Sequence, residues 1–256
     1  MARRPRIDIP GYHHIVNRGV NRSEIFRDPE DRDVFLGIVC KACRIYCVTI
    51  HDYCLMDNHY QLLIENELEN LSLFMRQINA NYAIYFNKKY RSTGHLWQGR
   101  YSSWYIMGEA YLNRTIRYIE HNPIKAKMAA EIREYPYTLG SLLLRGEEVP
   151  PCTSDSMMIR QYDSKTLADF LDEVLEDEEI RMLEEERKKR IEIKNRQAYR
   201  KEKKALESYF DSSMTRTDRN KAIYEAYRDG HTQKSIAKHI GLTDAAINIV
   251  IKKFRI

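Results

Sequence analysis

Two polar side chains open a predicted strand, and their chemical types suit the binding of a divalent cation. Residues 54–65, CLMDNHYQLLIE, end one strand, turn at Asp57–Asn58 and begin a second strand at His59. Because residues i and i+2 of a strand face the same side, His59 and Gln61 project together and Tyr60 faces the other way. An imidazole nitrogen and an amide oxygen are acceptable ligands for Mg²⁺ or Mn²⁺ if a third ligand comes from elsewhere. A solvated polar strand edge is the alternative interpretation.

The elements that must position this pair alternate between strand and helix signals over residues 1 to about 150. A strand from Tyr12 to Asn17 is predicted by YHHIVNRG, and Asp28 with Pro29 marks the start of a helix. Two further strands are predicted by IYCVTIHDYCLM and HYQLLIE, which are rich in β-branched and aromatic residues. A helix with one apolar stripe follows in NLSLFMRQINANYAIYFNKKY.

A last strand and a last helix complete this region. A strand or hairpin punctuated by glycines is predicted for GHLWQGRYSSWYI, and a helix interrupted at Pro123 is predicted for GEAYLNRTIRYIEHNPIKAKMA. The order βαββα, followed by β and α, predicts an α+β fold. In that fold a small antiparallel sheet carries its helices on one face.

Composition narrows the class of protein. The chain has 256 residues, of which 43% are hydrophobic, and this suffices for one sizeable domain and a smaller module. It contains no apolar run of about eighteen residues, and no apolar stretch follows its basic amino-terminal residues. We therefore expect neither a membrane span nor a secretory signal, and a cytoplasmic, nucleoid-associated location.

The five cysteines suit a reducing compartment, in which thiols usually remain free. Cys40 and Cys43 have the C-x-x-C spacing of a zinc or redox pair. They fall inside a helical pattern, however, and no second pair follows. This context favours small apolar residues packed in the core.

Charge is unevenly distributed along a chain whose net charge is only +5. Residues 172–186 contain nine acidic residues and one basic residue, and residues 187–204 contain ten basic and two acidic residues. A long polar helix is predicted, which either is a solvated connector or presents a basic face to a nucleic-acid backbone. From Pro150, PPCTSDSMM predicts a linker. The expected domains are residues 1–150, a linker and charged segment over 151–216, and a module over 217–256.

The carboxyl-terminal region is typical of a helix-turn-helix module. Gly230 is expected to end one helix, Thr232 to cap the next and Gly241 to make the turn. Either Thr243 or Asp244 is expected to cap the last helix.

In such modules the last helix enters the major groove of duplex DNA, and residues near its amino end read the bases. The residues expected to read bases here are Asp244, Ala245 and Asn248. The lysines expected to contact phosphates are Lys234, Lys238, Lys252 and Lys253. A three-helix protein-interaction module is the alternative interpretation.

Five segments of the first 150 residues resemble a known family in their order and spacing. They are RGVNRSEIF, LMDNHYQLLIE, NLSLFMRQINANYAIYFNKK, GHLWQGRY and RYIEHNPIKAKM. This set is similar to the HUH single-tyrosine transposases, particularly those associated with repetitive extragenic palindromes, and covers roughly residues 5–145. The resemblance implies a ferredoxin-like sheet, a divalent metal held by a His-hydrophobe-His strand, and cleavage of single-stranded DNA. It further implies a 5′-phosphotyrosine intermediate and a free 3′-hydroxyl.

The resemblance also implies roles for individual residues. The nucleophilic tyrosine corresponds to Tyr118 and the third metal ligand to Asn122, which lie four residues apart and so share a helix face. Tyr111, two turns earlier on that face, is the reserve nucleophile. One departure is that Gln61 replaces the second histidine of the metal-binding strand, which suits Mg²⁺ but should weaken affinity for softer ions.

A single-stranded substrate must be held by stacking and backbone contacts. The candidates are Trp97, Arg100, Tyr101, Trp104 and Tyr105, with Arg18 and Arg22 near the first strand. The expected function is metal-dependent cleavage and rejoining of single-stranded DNA at hairpin-forming repeats, with duplex DNA bound by the carboxyl-terminal module. We expect a monomer or homodimer. The alternative is a noncatalytic DNA-binding regulator derived from such an enzyme, with Gln61 as the sign of lost metal chemistry.

Overall fold

The computed structural model describes residues 8–188, 204–211, 214–229 and 231–253, in two compact units that comprise Met1–Ile191 and Glu192–Ile256. No helix in these ranges is both long enough and apolar enough to cross a membrane. The strands of the first unit are β1 (Gly11–Arg18), β2 (Val48–Met56), β3 (His59–Asn66) and β4 (Ser102–Tyr105). Its helices are α1 (Pro29–Tyr46), α2 (Leu71–Tyr90), α3 (Glu109–Glu120), α4 (Asn122–Lys125), α5 (Leu139–Arg145), α6 (Met157–Gln161), α7 (Ser164–Asp172) and α8 (Asp177–Lys188).

The four strands form one antiparallel sheet in the order β2-β3-β1-β4. With α1 joining β1 to β2 and α2 joining β3 to β4, this is the ferredoxin-like arrangement, and the predicted α+β class is confirmed. Strand β1 is central and pairs along its length with β3, so that Arg18 lies opposite His59 and Val16 lies opposite Gln61. Strand β3, which carries the polar pair, is therefore an interior strand of the sheet, between β2 and β1.

The crossover helices form where local chemistry predicts them. Asp28 caps α1 by accepting a hydrogen bond from the Asp31 backbone, and Pro29 occupies the first turn, where its missing N–H costs nothing. Both helices pack on one face of the sheet through aromatic side chains. Phe35 of α1, for example, lies 4.7 Å from the ring of Tyr60.

The opposite face of the sheet carries further helices. The prediction of helices on one face therefore holds only for the crossover helices α1 and α2. Tyr60 points toward α1, and the strand period places His59 and Gln61 on the other side. His14, which lies opposite the odd-numbered Leu63, shares this second face and contacts Tyr118 of α3 with ring centroids 6.2 Å apart. Helix α3 therefore covers the face that holds the predicted metal ligands.

Residues 150–158, PPCTSDSMM, which we expected to form a linker, fold against β2 instead. The chain there forms a 3-10 turn and α6, and the side chains of Thr153, Ser156 and Met158 are fully buried. A disulfide bond joins Cys40 to Cys152 across a Cα–Cα distance of 4.9 Å, so the expectation of free thiols is wrong for these two cysteines. Cys43 is free and buried in the core, as predicted.

Strand β2 contains a bulge at His51 that redirects the residues after it. Ile50 lies opposite Ile64, but Asp52 lies opposite Leu63, so one extra residue is inserted between them. The Ser156 hydroxyl donates to the His51 carbonyl oxygen at 2.6 Å, and the Met157 N–H donates to His51 Nδ1 at 3.1 Å. The bulge turns Asp52 toward the face that α3 covers.

Helix α3 is anchored to this face by a buried pair of acids, Asp52 and Glu120. Neither Asp52 Oδ2 nor Glu120 Oε2 has a hydrogen-bond donor in the described part of the chain, and burial raises the pKa of both carboxyls, so we infer that they share one proton. Burial, and then the Glu120 carboxylate, raise the pKa of Asp52 well above its usual range. The other Glu120 oxygen accepts the Gly140 N–H at 2.7 Å, and a Cβ at Gly140 would lie 2.6 Å from the Glu120 carboxyl carbon. Only glycine allows this approach.

The second unit contains the helices α9 (Arg216–Arg228), α10 (Gln233–Ile240) and α11 (Asp244–Lys253). They enclose a small core that includes Ile223, Ile236 and Ile247. Thr232 caps α10 and Thr243 caps α11 by accepting backbone N–H groups, and Gly241 makes the turn with φ of 68°. The predicted helix end at Gly230 lies outside the described residues.

We predict that Asp52→Asn stabilises the protein increasingly as pH rises. Because the folded state keeps a proton that the unfolded carboxyl releases above pH about 4, the wild-type free energy of unfolding falls by up to about 1.4 kcal/mol per pH unit above that point. Asparagine cannot ionise and can still donate to Glu120. Thermal unfolding at pH 5 and pH 8 measures the difference, with exposed Asp33→Asn on α1 as the control. An equal difference at both pH values would contradict the shared proton.

Candidate active site

His59 is positioned by the turn that precedes it. Arg32 of α1 donates to the Asp57 carboxylate at 2.5 Å, and the backbone N–H groups of Ile25 and Phe26 donate to the Asp57 carbonyl oxygen. His59 Nδ1 lies 2.7 Å from Asn58 Oδ1. Since an amide oxygen only accepts, Nδ1 carries the proton and Nε2 keeps its lone pair. An imidazole with an unprotonated Nε2 can ligate a metal ion through that nitrogen.

Burial, and then the charge of Arg18, lower the pKa of His59 to about 4. The imidazole is therefore neutral at neutral pH, as a metal ligand must be. Arg18, one of the predicted DNA contacts, lies directly opposite His59 on β1. It brings positive charge to the edge of this site.

Gln61 is held by a histidine that the sequence did not single out. His14 is fully buried on β1, and its Nε2 lies 2.9 Å from Gln61 Oε1. Burial, and then the charge of Arg187, lower the pKa of His14 to about 3, so its ring is neutral and carries one proton. Because His14 Nδ1 accepts from Arg187 Nη2 at 3.2 Å, the proton is on Nε2 and is donated to Gln61. This bond fixes the orientation of the Gln61 carbonyl oxygen.

Tyr118 and Asn122 lie where α3 gives way to α4. Helix α3 ends at Glu120, and Pro123 occupies the first turn of α4, so the interruption at Pro123 is as predicted. Asn122 Nδ2 donates to the Tyr118 carbonyl oxygen at 2.6 Å. That bond uses the amide nitrogen, and Oδ1 is the atom able to ligate a cation.

The two candidate nucleophiles differ in accessibility. Tyr111 is only 4% exposed, and burial raises the pKa of its hydroxyl although nearby Arg187 opposes the rise. Tyr118 is half-buried and lies at the edge of the core. An incoming DNA strand can reach Tyr118 more readily than Tyr111.

Cations and an aromatic ring surround Tyr118. The Arg187 guanidinium lies 4.4 Å from the centre of its ring and 5.0 Å from that of Trp104, and Lys125 Nζ lies 5.4 Å from the Tyr118 ring. Sequence reasoning missed Arg187, which it assigned only to a charged connecting segment. The available signal was its place at the junction of the acidic and basic blocks.

The predicted metal ligands form a set rich in amide oxygens. Within residues that the structure describes, no three histidine, cysteine, aspartate or glutamate side chains lie close enough together to hold a metal ion. The neutral imidazole of His59, the fixed carbonyl oxygen of Gln61 and the amide of Asn122 suit a hard cation such as Mg²⁺ or Mn²⁺. These residues fit the metal that the resemblance implies.

The predicted DNA-contacting residues of the first unit divide into two groups. Trp104 lies on the site face beside His14, and Arg22 and Arg100 are exposed. Tyr101, however, is 6% exposed in the core. Trp97 donates from its indole to the Asn79 carbonyl oxygen and packs on Tyr60 and Tyr82, while the Tyr105 hydroxyl donates to the Pro10 carbonyl oxygen. These three rings are structural, and Trp104 is the stacking candidate.

The predicted DNA-contacting residues of the second unit lie on α10 and α11. Lys234, Lys238, Asp244 and Ala245 are exposed, and Asn248 is half-buried. The side chains of Lys252 and Lys253 lie outside the described part of the chain.

Comparison with known proteins gives a family match and a structural match. Residues 10–122 match the family model described as "Transposase IS200 like". A solved structure, "Structure of the REP associates tyrosine transposase bound to a REP hairpin", is similar over 58% of this chain and 89% of its own length, at 18% identity and a TM-score of 0.48. No curated protein sequence matches the chain.

We predict that His14→Phe weakens Mn²⁺ binding by about 10- to 100-fold, because it removes the donor that orients Gln61. Isothermal titration of the protein with Mn²⁺ measures this. His13→Phe is the matched control, since His13 is equally buried on the adjacent position but faces the other side of the sheet. Equal Mn²⁺ affinity in the two variants would show that His14 does not act on the metal ligand.

Proposed function

We propose that this chain, whose residues 10–122 match the family model of IS200-like transposases, cuts and rejoins single-stranded DNA through Tyr118. The observation that carries the proposal is the position of Tyr118 across His14 from Gln61. The Tyr118 ring contacts the His14 ring, and the same His14 donates to Gln61. A nucleophile and a metal ligand are thus linked through one side chain.

The chemical step exchanges one phosphodiester for another. The Tyr118 hydroxyl oxygen attacks the phosphorus of the DNA strand, and the bond from phosphorus to the 3′-oxygen breaks. The phenolic proton passes to solvent and the departing 3′-oxygen takes one up, which leaves a free 3′-hydroxyl and a 5′-phosphotyrosine. Attack by a 3′-hydroxyl on the phosphotyrosine then reverses these bonds. The energy of the ester is conserved, so strand transfer requires no nucleotide cofactor.

Side chains around Tyr118 support this step. A phosphate carries negative charge that repels an oxygen nucleophile, and cations beside the tyrosine offset that repulsion. Lys125 lies over the Tyr118 ring from the end of α4, and Arg187 lies over it from α8. Trp104 offers a stacking surface to an unpaired base next to the phosphate.

His59, Gln61 and Asn122 would hold the divalent cation. When bound, such an ion neutralises a nonbridging phosphate oxygen and helps to fix the geometry of attack. His59 contributes a neutral imidazole, and His14 keeps the Gln61 carbonyl oxygen in one orientation. We infer that hairpin-forming repeats present the single strand, as the resemblance of the sequence to transposases of repetitive palindromes implies.

We predict that Tyr118→Phe abolishes the covalent adduct with labelled single-stranded hairpin DNA and leaves DNA affinity within a few-fold of wild type. Denaturing electrophoresis after incubation with Mn²⁺ detects the adduct. Tyr111→Phe is the control and should retain it, because the Tyr111 hydroxyl is buried. An adduct that survives Tyr118→Phe but not Tyr111→Phe would move the nucleophile to Tyr111. Wild-type protein that forms no adduct would favour a noncatalytic DNA-binding regulator.

The second unit is proposed to bind duplex DNA as a helix-turn-helix module. Helices α10 and α11 are joined by the Gly241 turn, and Lys234 and Lys238 share one face of α10 at a spacing of four residues. The exposed Asp244 and Ala245 lie in the first turn of α11, from which such modules read base edges.

We predict that Lys234→Gln combined with Lys238→Gln weakens duplex binding by the full chain. Each lost phosphate contact should lower the slope of log affinity against log salt by about 0.9. Fluorescence anisotropy at several salt concentrations measures the slope. The control combines Lys41→Gln and Lys165→Gln, which remove two exposed lysines of the first unit. Equal slopes in the two variants would leave the three helices as a protein-interaction module.

A further inference from the structure

Arg187 reaches the candidate active site from a helix outside residues 10–122. Helix α8 packs against the rest of the first unit through Leu183, which is fully buried. Arg117 of α3 donates to Glu179 of α8 at 3.1 Å and pairs with Glu173, just before α8, at 2.8 Å. These contacts fix α8 against the helix that carries Tyr118.

The guanidinium of Arg187 contacts four side chains of this site. It lies over the rings of Tyr118 and Trp104, donates to His14 Nδ1, and lies near enough to the Tyr111 hydroxyl to oppose the rise in its pKa. All four are neutral groups. Within the described ranges, no carboxylate oxygen lies within 4.0 Å of it, and its Nε is buried without an acceptor.

A guanidinium placed among neutral groups, with a buried donor unused, is costly to the folded protein. Loss of hydration disfavours a charge that has no counter-ion, and a buried donor without an acceptor is also unfavourable. A phosphate would remove both costs, because its oxygens accept from the fork of guanidinium N–H groups. An anion would complete the contacts of Arg187, whose guanidinium covers the ring of the proposed nucleophile.

We propose that Arg187 is a further catalytic residue, which binds a nonbridging oxygen of the phosphate that Tyr118 attacks. The inference rests on the proposed function, since it assumes that Tyr118 is the nucleophile. Arg187 would add positive charge at a site where Gln61 replaces a second histidine. Its bond to His14 would also connect the bound phosphate to the residue that orients Gln61.

The first test measures the rate of adduct formation on labelled hairpin DNA. Arg187→Gln should lower this rate by about 10²- to 10³-fold, a loss comparable to that of one donor to a developing oxyanion. Arg187→Lys, which keeps the charge but not the fork, should be intermediate. Arg181→Gln is the matched control, because Arg181 is an exposed arginine on the same helix. It should react like wild type.

The second test measures binding and does not depend on turnover. In the Tyr118→Phe background, Arg187→Gln should lower affinity for the single-stranded oligonucleotide by about tenfold, as loss of a hydrogen bond to a charged group predicts. The oligonucleotide is then made with one neutral methylphosphonate at the cleavage position, mapped from the size of the wild-type product. The effect of Arg187→Gln should vanish on this oligonucleotide. Arg181→Gln should leave both affinities unchanged.

The outcomes separate this inference from the proposed function. If Arg187→Gln forms adduct within twofold of wild type, Tyr118 keeps its role and Arg187 loses the role proposed here. Faster adduct formation would mean that the guanidinium occupies the place of the substrate, which also overturns the inference. An equal affinity loss on the phosphodiester and the methylphosphonate would assign Arg187 a structural role. Failure of wild-type protein to form any adduct would remove the proposed function, and this inference with it.

Discussion

The hydrogen bond from His14 to Gln61 is the interaction on which the candidate site depends. It requires a neutral His14, and burial together with the nearby Arg187 charge lowers the pKa of His14 to about 3. The neutral ring carries one proton, so its Nδ1 accepts from Arg187 and its Nε2 donates to Gln61. The direction of both hydrogen bonds is therefore fixed. A protonated His14 could not accept from Arg187, and its charge would oppose a cation at Gln61.

The sheet brings the two residues of this bond together, and helices α3 and α8 on its second face bring further side chains to His14. Antiparallel pairing of β1 with β3 brings His14 within reach of Gln61 although 47 residues separate them in sequence. Helix α3 adds Tyr118 above His14, and α8 adds Arg187 above both. Each element alone carries an ordinary polar residue. Together on one face of the sheet, they place the Tyr118 ring, the Arg187 guanidinium and the Gln61 amide around His14.

Much of this architecture could be predicted from the sequence, because the strands and helices follow local periodicity and capping. The start of α1 at Asp28, the turn before His59 and the break at Pro123 all depend on residues close together in the chain. His14 and Arg187 could not be found in this way, since their roles arise from contacts over 47 and 173 residues. The aromatic stretch around Trp97 was ambiguous for a related reason: its composition suits stacking on bases and packing in a core equally well. Only the sheet face assigned to each ring decides between the two.

The bulge at His51 extends the set of residues on which Tyr118 depends. Side chains alternate between the two faces of a strand, and an inserted residue exchanges the faces for all residues after it. Asp52 therefore meets Glu120 instead of the aromatic core. Ser156 and Met157 hold the inserted residue in place through its carbonyl oxygen and its ring. The folded unit that carries Tyr118 therefore extends beyond the matched residues 10–122. A gene fragment that stopped at residue 122, or even at 150, would encode all four strands and Tyr118 but would omit Ser156 and Met157, which hold the bulge of β2 in place.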